Sequence, residues 1–330
     1  MKGIKLLRKL LPGSAFAVAS VMFAMSASTA NPVRRDLNMG RADSALQSLN
    51  AVLAQTPSDA EAHNLRCRVY YEEQQWDQAI ADCQAATLLD PNNSKYHLWL
   101  GRAYGQKAAS ISSLLSAYKL ARKVAAEFQL AVQLDPRNAA ALADLGEFDV
   151  SAPYVAGGGL NRAQGVLQQL RSLNPDDALE LQGRIAEQKK DNAAAEADYR
   201  AAISQAKNPA NAWMDLAAFY LRCGRTNDAV TAAYNGAALD HQHGPALVQA
   251  ATDLDESGRD PRTAIQWLNE YLASSAQSED APAFAVHAQL ARLLENEGQE
   301  PEAQQQLAEV HALASGYRIP PTGRSARAAR

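Results

Sequence analysis

Small and apolar residues recur three and four apart in helix-length stretches along this chain, the spacing that lays one face of an α-helix against a neighbour. Between residues 56 and 209 these stretches are divided by five proline turns: Thr56-Pro57, Asp90-Pro91, Asp135-Pro136, Asn174-Pro175 and Asn208-Pro209. A proline has no N–H and pushes the residue before it out of the α region, so each pair stops a helix. Successive prolines lie 34, 45, 39 and 34 residues apart. A period of about 34 residues is long enough for two helices and a turn, which predicts a solenoid of stacked helix pairs. Such arrays usually bind partners and perform no chemistry.

The motif inside each period is specific. Trp213-x2-Leu216-Ala217-x2-Tyr220, followed by Gly224 and Ala229, resembles the tetratricopeptide repeat, whose first helix reads W-x2-L-G/A-x2-Y and whose second reads A-x3-F-x2-A. His97-x2-Leu100-Gly101-x2-Tyr104 with Phe128-x2-Ala131 repeats the pattern, as do Leu142-x2-Leu145-Gly146 with Ala163-x3-Leu167. Ala79-x3-Cys83-x2-Ala86 and Ala195-x3-Tyr199-x2-Ala202 supply further second helices, and Gly258 with Ala264 and Gly298 with Ala303-x3-Leu307 extend the array. The resemblance implies an all-α, right-handed solenoid over residues 31–316, with about seven full repeats and one leading partial repeat. With its run from Tyr96 to Gly105 and the later Ala152-Pro153 and Gly157-Gly158-Gly159, the chain is similar in particular to exported bacterial tetratricopeptide proteins, a likeness that bears on fold and location only. Small residues on both helices let backbones approach, while larger ones fill the groove between hairpins.

Two adjacent repeats break the period. Eleven extra residues fall within a long hairpin at 94–136, and their composition predicts extended helices with a turn near Ser110–Ser113. Eleven residues make close to three turns, so the apolar phase is kept. The next repeat carries a Gly-rich insertion at 151–159, containing Tyr154 and Gly157-Gly158-Gly159. Both fall on the same edge, so they are expected to be neighbours, and the glycines offer either bare N–H groups to a partner or a flexible turn.

The ends read differently from the body. Lys2, Lys5, Arg8 and Lys9 precede a mostly apolar run and Ser28-Thr29-Ala30, which reads as a signal peptide at 1–30 cut after Ala30. The expected location is therefore periplasmic or secreted. Residues 317–330 read as a disordered basic tail. The net charge of −4 becomes −8 once the four N-terminal cations are removed, and −12 without the tail's Arg318, Arg324, Arg327 and Arg330. So acidic a body argues against nucleic acid and anionic lipid as partners. Hydrophobic residues make up 47% of the chain but aromatic ones only 6%, as expected of Ala-rich helix packing.

Little in the chain asks for catalysis or a cofactor. Cys67 and Cys83 form a candidate disulfide on the two helices of one hairpin: an oxidising compartment favours the bridge, whereas an axial offset of about one turn favours two buried thiols. His241 and His243 lack a third metal ligand nearby, and His63, His97 and His287 occupy a packing slot. Adjacent carboxylates such as Glu72-Glu73 and Asp176-Asp177 fit exposed turns or helix starts.

The resemblance places a binding groove on the first helix of each repeat. It assigns partner contacts to Asn64, Arg68 and Tyr71, then Leu98, Arg102 and Gln106, then Glu147, Glu180 and Arg184; the Gly-rich insertion adds Tyr154 and Gly157–Gly159 at the edge as further candidate contacts. The expected function is a non-enzymatic scaffold for a protein or peptide, its early groove cationic and aromatic, suited to an acidic segment unless its charges pair with one another. The alternative is a self-assembling envelope protein that uses the long hairpin and Gly-rich loop.

Overall fold

The computed structural model describes residues 32–319, so the expected signal peptide and nearly all of the basic tail lie outside the described residues. Among the described residues there are sixteen α-helices, one 3-10 turn and no strand. A short α1 (residues 32–38) and α2 (Ala42–Gln55) lead the array. Seven antiparallel pairs follow. They are α3 (Ala60–Glu72) with α4 (Trp76–Leu89), α5 (Ser94–Ser110) with α6 (Leu114–Leu134), and α7 (Ala139–Ser151) with α8 (Leu160–Leu173). Next come α9 (Pro175–Gln188) with α10 (Asn192–Gln205) and α11 (Pro209–Arg222) with α12 (Thr226–Ala237). The last two pairs are α13 (Pro245–Glu256) with α14 (Pro261–Ala273) and α15 (Ala283–Asn296) with α16 (Glu300–Leu313).

The prolines act in two ways. Pro57, Pro91 and Pro136 sit in the loop just after a helix end, whereas Pro175 and Pro209 open the next helix, where a missing N–H costs nothing. Asn174 is at once the C-cap of α8 and the N-cap of α9. The alanine that begins the second-helix pattern is fully buried in seven hairpins: Ala45, Ala79, Ala163, Ala195, Ala229, Ala264 and Ala303 are each 0% exposed. A larger side chain there would hold the paired backbones apart.

Two histidines in the tryptophan slot tie their hairpins to the entry turn. His97 is hydrogen-bonded through Nδ1 to Glu127 (2.7 Å) and through Nε2 to the Pro91 carbonyl (3.0 Å), and His63 bonds Asp82 (2.8 Å) and the Pro57 carbonyl (3.0 Å) likewise. His287 bonds Gln306.

Cys67 and Cys83 are bridged, with Cα atoms 5.3 Å apart. The expected axial offset is absent: across the short turn between Glu72 and Trp76 the two cysteines face one another.

The array closes on itself. Val33, Leu37, Leu49, Leu65 and Val69 from the first helices share one buried cluster with Phe284, Val310, Ala314 and Tyr317 from the last. Ser315 N–H and Oγ both donate to Asp43, and Gln75 Nε2 donates to the Gly316 carbonyl (3.1 Å). Gly40, at φ +60°, presses on the start of α15 so closely that a Cβ would lie 2.2 Å from Ala283 N. Tyr317, the first residue assigned to the tail, is instead buried against Phe284, with ring centroids 4.9 Å apart.

Candidate functional site

The first helices of the pairs line the inner face of this closed array, and a cavity of about 540 Å³ opens on it between α3, α5 and α7. At its centre Trp99 is flanked by two guanidinium groups, Arg68 at 4.9 Å and Arg102 at 4.7 Å from the ring centroid. Tyr71 meets Trp99 edge-on at 5.5 Å, and its hydroxyl accepts a hydrogen bond from Gln106 Nε2 (3.2 Å). An aromatic face holding two cations is a sound anchor for anionic groups.

Neither arginine is free. Arg102 donates from Nε (2.5 Å) and Nη2 (3.2 Å) to the two oxygens of Asp144 on α7. Arg68 donates to both carboxylate oxygens of Glu279, a residue 211 positions away. Glu279 and Asp280 belong to the nine-residue loop between α14 and α15, and both line the cavity. The buried Tyr271 side chain holds this loop in shape: its hydroxyl donates to the Ala281 carbonyl (2.6 Å) and accepts the Ser278 N–H (3.1 Å). Ser274 Oγ adds a bond to the His243 carbonyl. The acidic turn Ser278-Glu279-Asp280 is thus presented to the cationic cluster by the chain itself.

Further round, the inner face is strongly acidic. Arg184 binds Glu147 through Nε (3.1 Å) and Nη2 (2.7 Å), Arg222 binds Glu187, and Arg292 binds Asp255. Asp177, Glu180, Asp215 and Asp280 line a second cavity of about 360 Å³ that has no cationic side chain in its wall. Burial, then repulsion from Glu180, pushes Asp215 up to about 8, and burial with Glu147 raises Glu180. Asp253 is pushed up by burial to about 7. Glu72 stands well above the usual carboxylate range, first from burial and then from the charge of Glu279; its Oε1 is shut off from solvent without a hydrogen-bond partner.

Apart from Glu180, which lines the second cavity, the residues expected to touch a partner divide into three groups. Arg68, Tyr71, Arg102, Gln106, Glu147 and Arg184 come together on the inner face. Asn64 and Leu98 are only 3% and 4% exposed, packed into the hairpin layers, so they offer a partner nothing. Tyr154 and Gly157–Gly159 lie on the outer edge beside the long hairpin, where Tyr118 Oη donates to the Val155 carbonyl (3.1 Å).

The glycine N–H groups are already used. Gly157 donates to the Tyr154 carbonyl, Gly158 to Pro153 and Gly159 to Asp149, so none of the three glycines offers a bare N–H to an anion. Glycine is needed there for space, since a Cβ on Gly158 would lie 1.9 Å from the Ala152 carbonyl oxygen. The loop at 274–282 was not foreseen in the sequence, where Ser278-Glu279-Asp280 is one short polar turn among several.

Comparison with known proteins agrees with this architecture. Residues 36–104 and 154–211 match family models described as tetratricopeptide repeat. No curated protein matches the chain. Among solved structures, yeast Tom70 is 14% identical with a TM-score of 0.50, covering 83% of this chain and 55% of its own. TTC0263, a thermophilic TPR protein of Thermus thermophilus, is 19% identical with a TM-score of 0.49, covering 58% of this chain and 99% of its own. Cut9–Hcn1 of the APC/C is 14% identical with a TM-score of 0.41, covering 84% of this chain and 51% of its own. The chain thus spans about half the length of the Tom70 and Cut9–Hcn1 chains.

Proposed function

This chain is a tetratricopeptide-repeat protein, and from that premise we propose that it is a non-enzymatic scaffold holding an acidic segment of a protein or peptide partner against its inner face. Repeats of this family generally serve as scaffolds that bind proteins or peptides. One observation carries the finer reading: the inner face already holds an acidic turn, with Glu279 on Arg68 beside Trp99 and Arg102. A partner bearing carboxylates in an extended segment would take the place of that turn and meet the same two guanidinium groups. Arg102 stays oriented by Asp144 while Arg68 changes partner, so the exchange leaves few charges unpaired. The proposed location is the periplasm, supported by the export pattern of residues 1–30 and by the Cys67–Cys83 bridge, since such bridges persist in oxidising compartments.

The test uses a labelled peptide copying residues 274–282, titrated against the full chain by fluorescence anisotropy. Glu279→Ala/Asp280→Ala vacates the site and is expected to bind the peptide at least tenfold more tightly than wild type, about 1.4 kcal/mol. Adding Arg68→Glu/Arg102→Glu should abolish that binding while the helical circular dichroism stays unchanged. Equal affinity in all three proteins would refute the proposal.

A further inference from the structure

The acidity of the chain is not uniform. Residues 91–126 contain no Asp or Glu, yet they carry Lys95, Arg102, Lys107, Lys119, Arg122 and Lys123. Most of this stretch forms the long hairpin. Lys107 pairs with Asp77 at the start of α4, which marks the edge of the neighbouring hairpin, and residues 108–118 extend past it. With α5 four residues longer than α3 and α6 seven longer than α4, the tip stands roughly 6–10 Å beyond that edge at 1.5 Å per residue. That is about one screening length at physiological salt, so the acidic body weighs little on what the tip meets.

The tip is also apolar. Leu114 is 87% exposed and Leu115 65%, and in the adjoining 3-10 turn Tyr154 is 83% exposed and Val155 69%. The bond from Tyr118 to the Val155 carbonyl joins the two segments into one patch. Leu115, Lys119 and Arg122 follow at helical spacing on one face of α6, and both cations are exposed with no ion pair among the described residues. By contrast Lys123 lies over the Tyr104 ring. An apolar end backed by unpaired cations is the pattern of a helix that rests in a lipid interface, with its leucines and tyrosine below the headgroups and its cations among them.

We propose that the tip of the α5–α6 hairpin, with Tyr154 and Val155, docks the array on an anionic membrane surface. A second copy of the chain fits less well. The four exposed side chains offer roughly a few hundred Å² on a convex tip, short of the ~1,200 Å² of total area that specific protein interfaces bury. A fluid surface needs no matching recess, and its negative charge complements Lys119 and Arg122. This docking is independent of the inner face, which stays open to its own partner.

The test attaches an environment-sensitive dye to the new thiol of a full chain carrying Ser112→Cys and Cys223→Ser and, separately, to the native Cys223 of the wild-type chain as a control. Phosphatidylglycerol vesicles should blue-shift the dye at 112 but not at 223, and phosphatidylcholine vesicles should do neither. Lys119→Glu/Arg122→Glu and Leu114→Ser/Leu115→Ser should each weaken the apparent affinity at least tenfold; these side chains are exposed, so the fold is spared. A residue-112 dye that ignores vesicles, or responds equally to both lipids, overturns the proposal. So does a blue shift that grows with protein concentration in the absence of lipid, which would assign the tip to a second copy.

Discussion

Arg68, Arg102, Arg184, Arg222 and Arg292 each face a carboxylate supplied by a different repeat. The sequence places Arg68, Arg102 and Arg184 on one helix face but not Arg222 or Arg292, and the partners of all five lie 35 to 42 residues away, or 211 for Arg68, so the pairing is invisible without the stacking. What remains uncompensated on the inner face is carboxylate, and Asp215 shows the consequence. Folded Asp215 keeps its proton up to about 8, whereas its ordinary value is 3.8, so between those values the folded chain binds more protons than the unfolded one. Stability from this group is therefore full below about pH 4 and is lost as pH rises through about 8. Urea midpoints should be lower at pH 8 than at pH 5, and Asp215→Asn should shrink that difference. An undiminished difference in the variant would assign the effect to other groups.

At the level of helices and turns, the hydrophobic pattern and the prolines make most boundaries legible. The long hairpin turns at residues 111–113, within the expected Ser110–Ser113, and neither arm contains a proline or glycine after Gly105 to break it elsewhere. Register was harder to read. One residue of uncertainty in a tight turn rotates a helix by about 100°, enough to separate or join Cys67 and Cys83. The turns between paired helices also reuse one left-handed position. Gly224, Gly258 and Gly298 occupy it at φ +71°, +65° and +77°, while Gln74 and Lys190 are forced into it at +60° and +59°. An L side chain there costs about 1–2 kcal/mol, partly offset by the looser unfolded chain that glycine brings. Lys190→Gly should accordingly raise stability by about 1 kcal/mol in urea titration, with no change in slope. A destabilised variant would mean that the Lys190 side chain contributes contacts outweighing its strain.

Closure belongs to the whole molecule and was not legible in the chain. It depends on small rotations between successive hairpins, summed over the array, that no local spacing records. Its marks appear only in three dimensions: Gly40 against α15, Asp43 against Ser315, and Tyr317 buried where a free tail was expected. Closure also brings the α14–α15 loop across to α3, and so creates the charge pair on which the proposed site rests. Charge exchange at that pair is the most direct test. Arg68→Glu and Glu279→Arg should each lower the urea midpoint, and the double variant should recover most of the loss, a coupling of about 1–3 kcal/mol. Single effects that simply add in the double variant would contradict the seating of the acidic loop on Arg68.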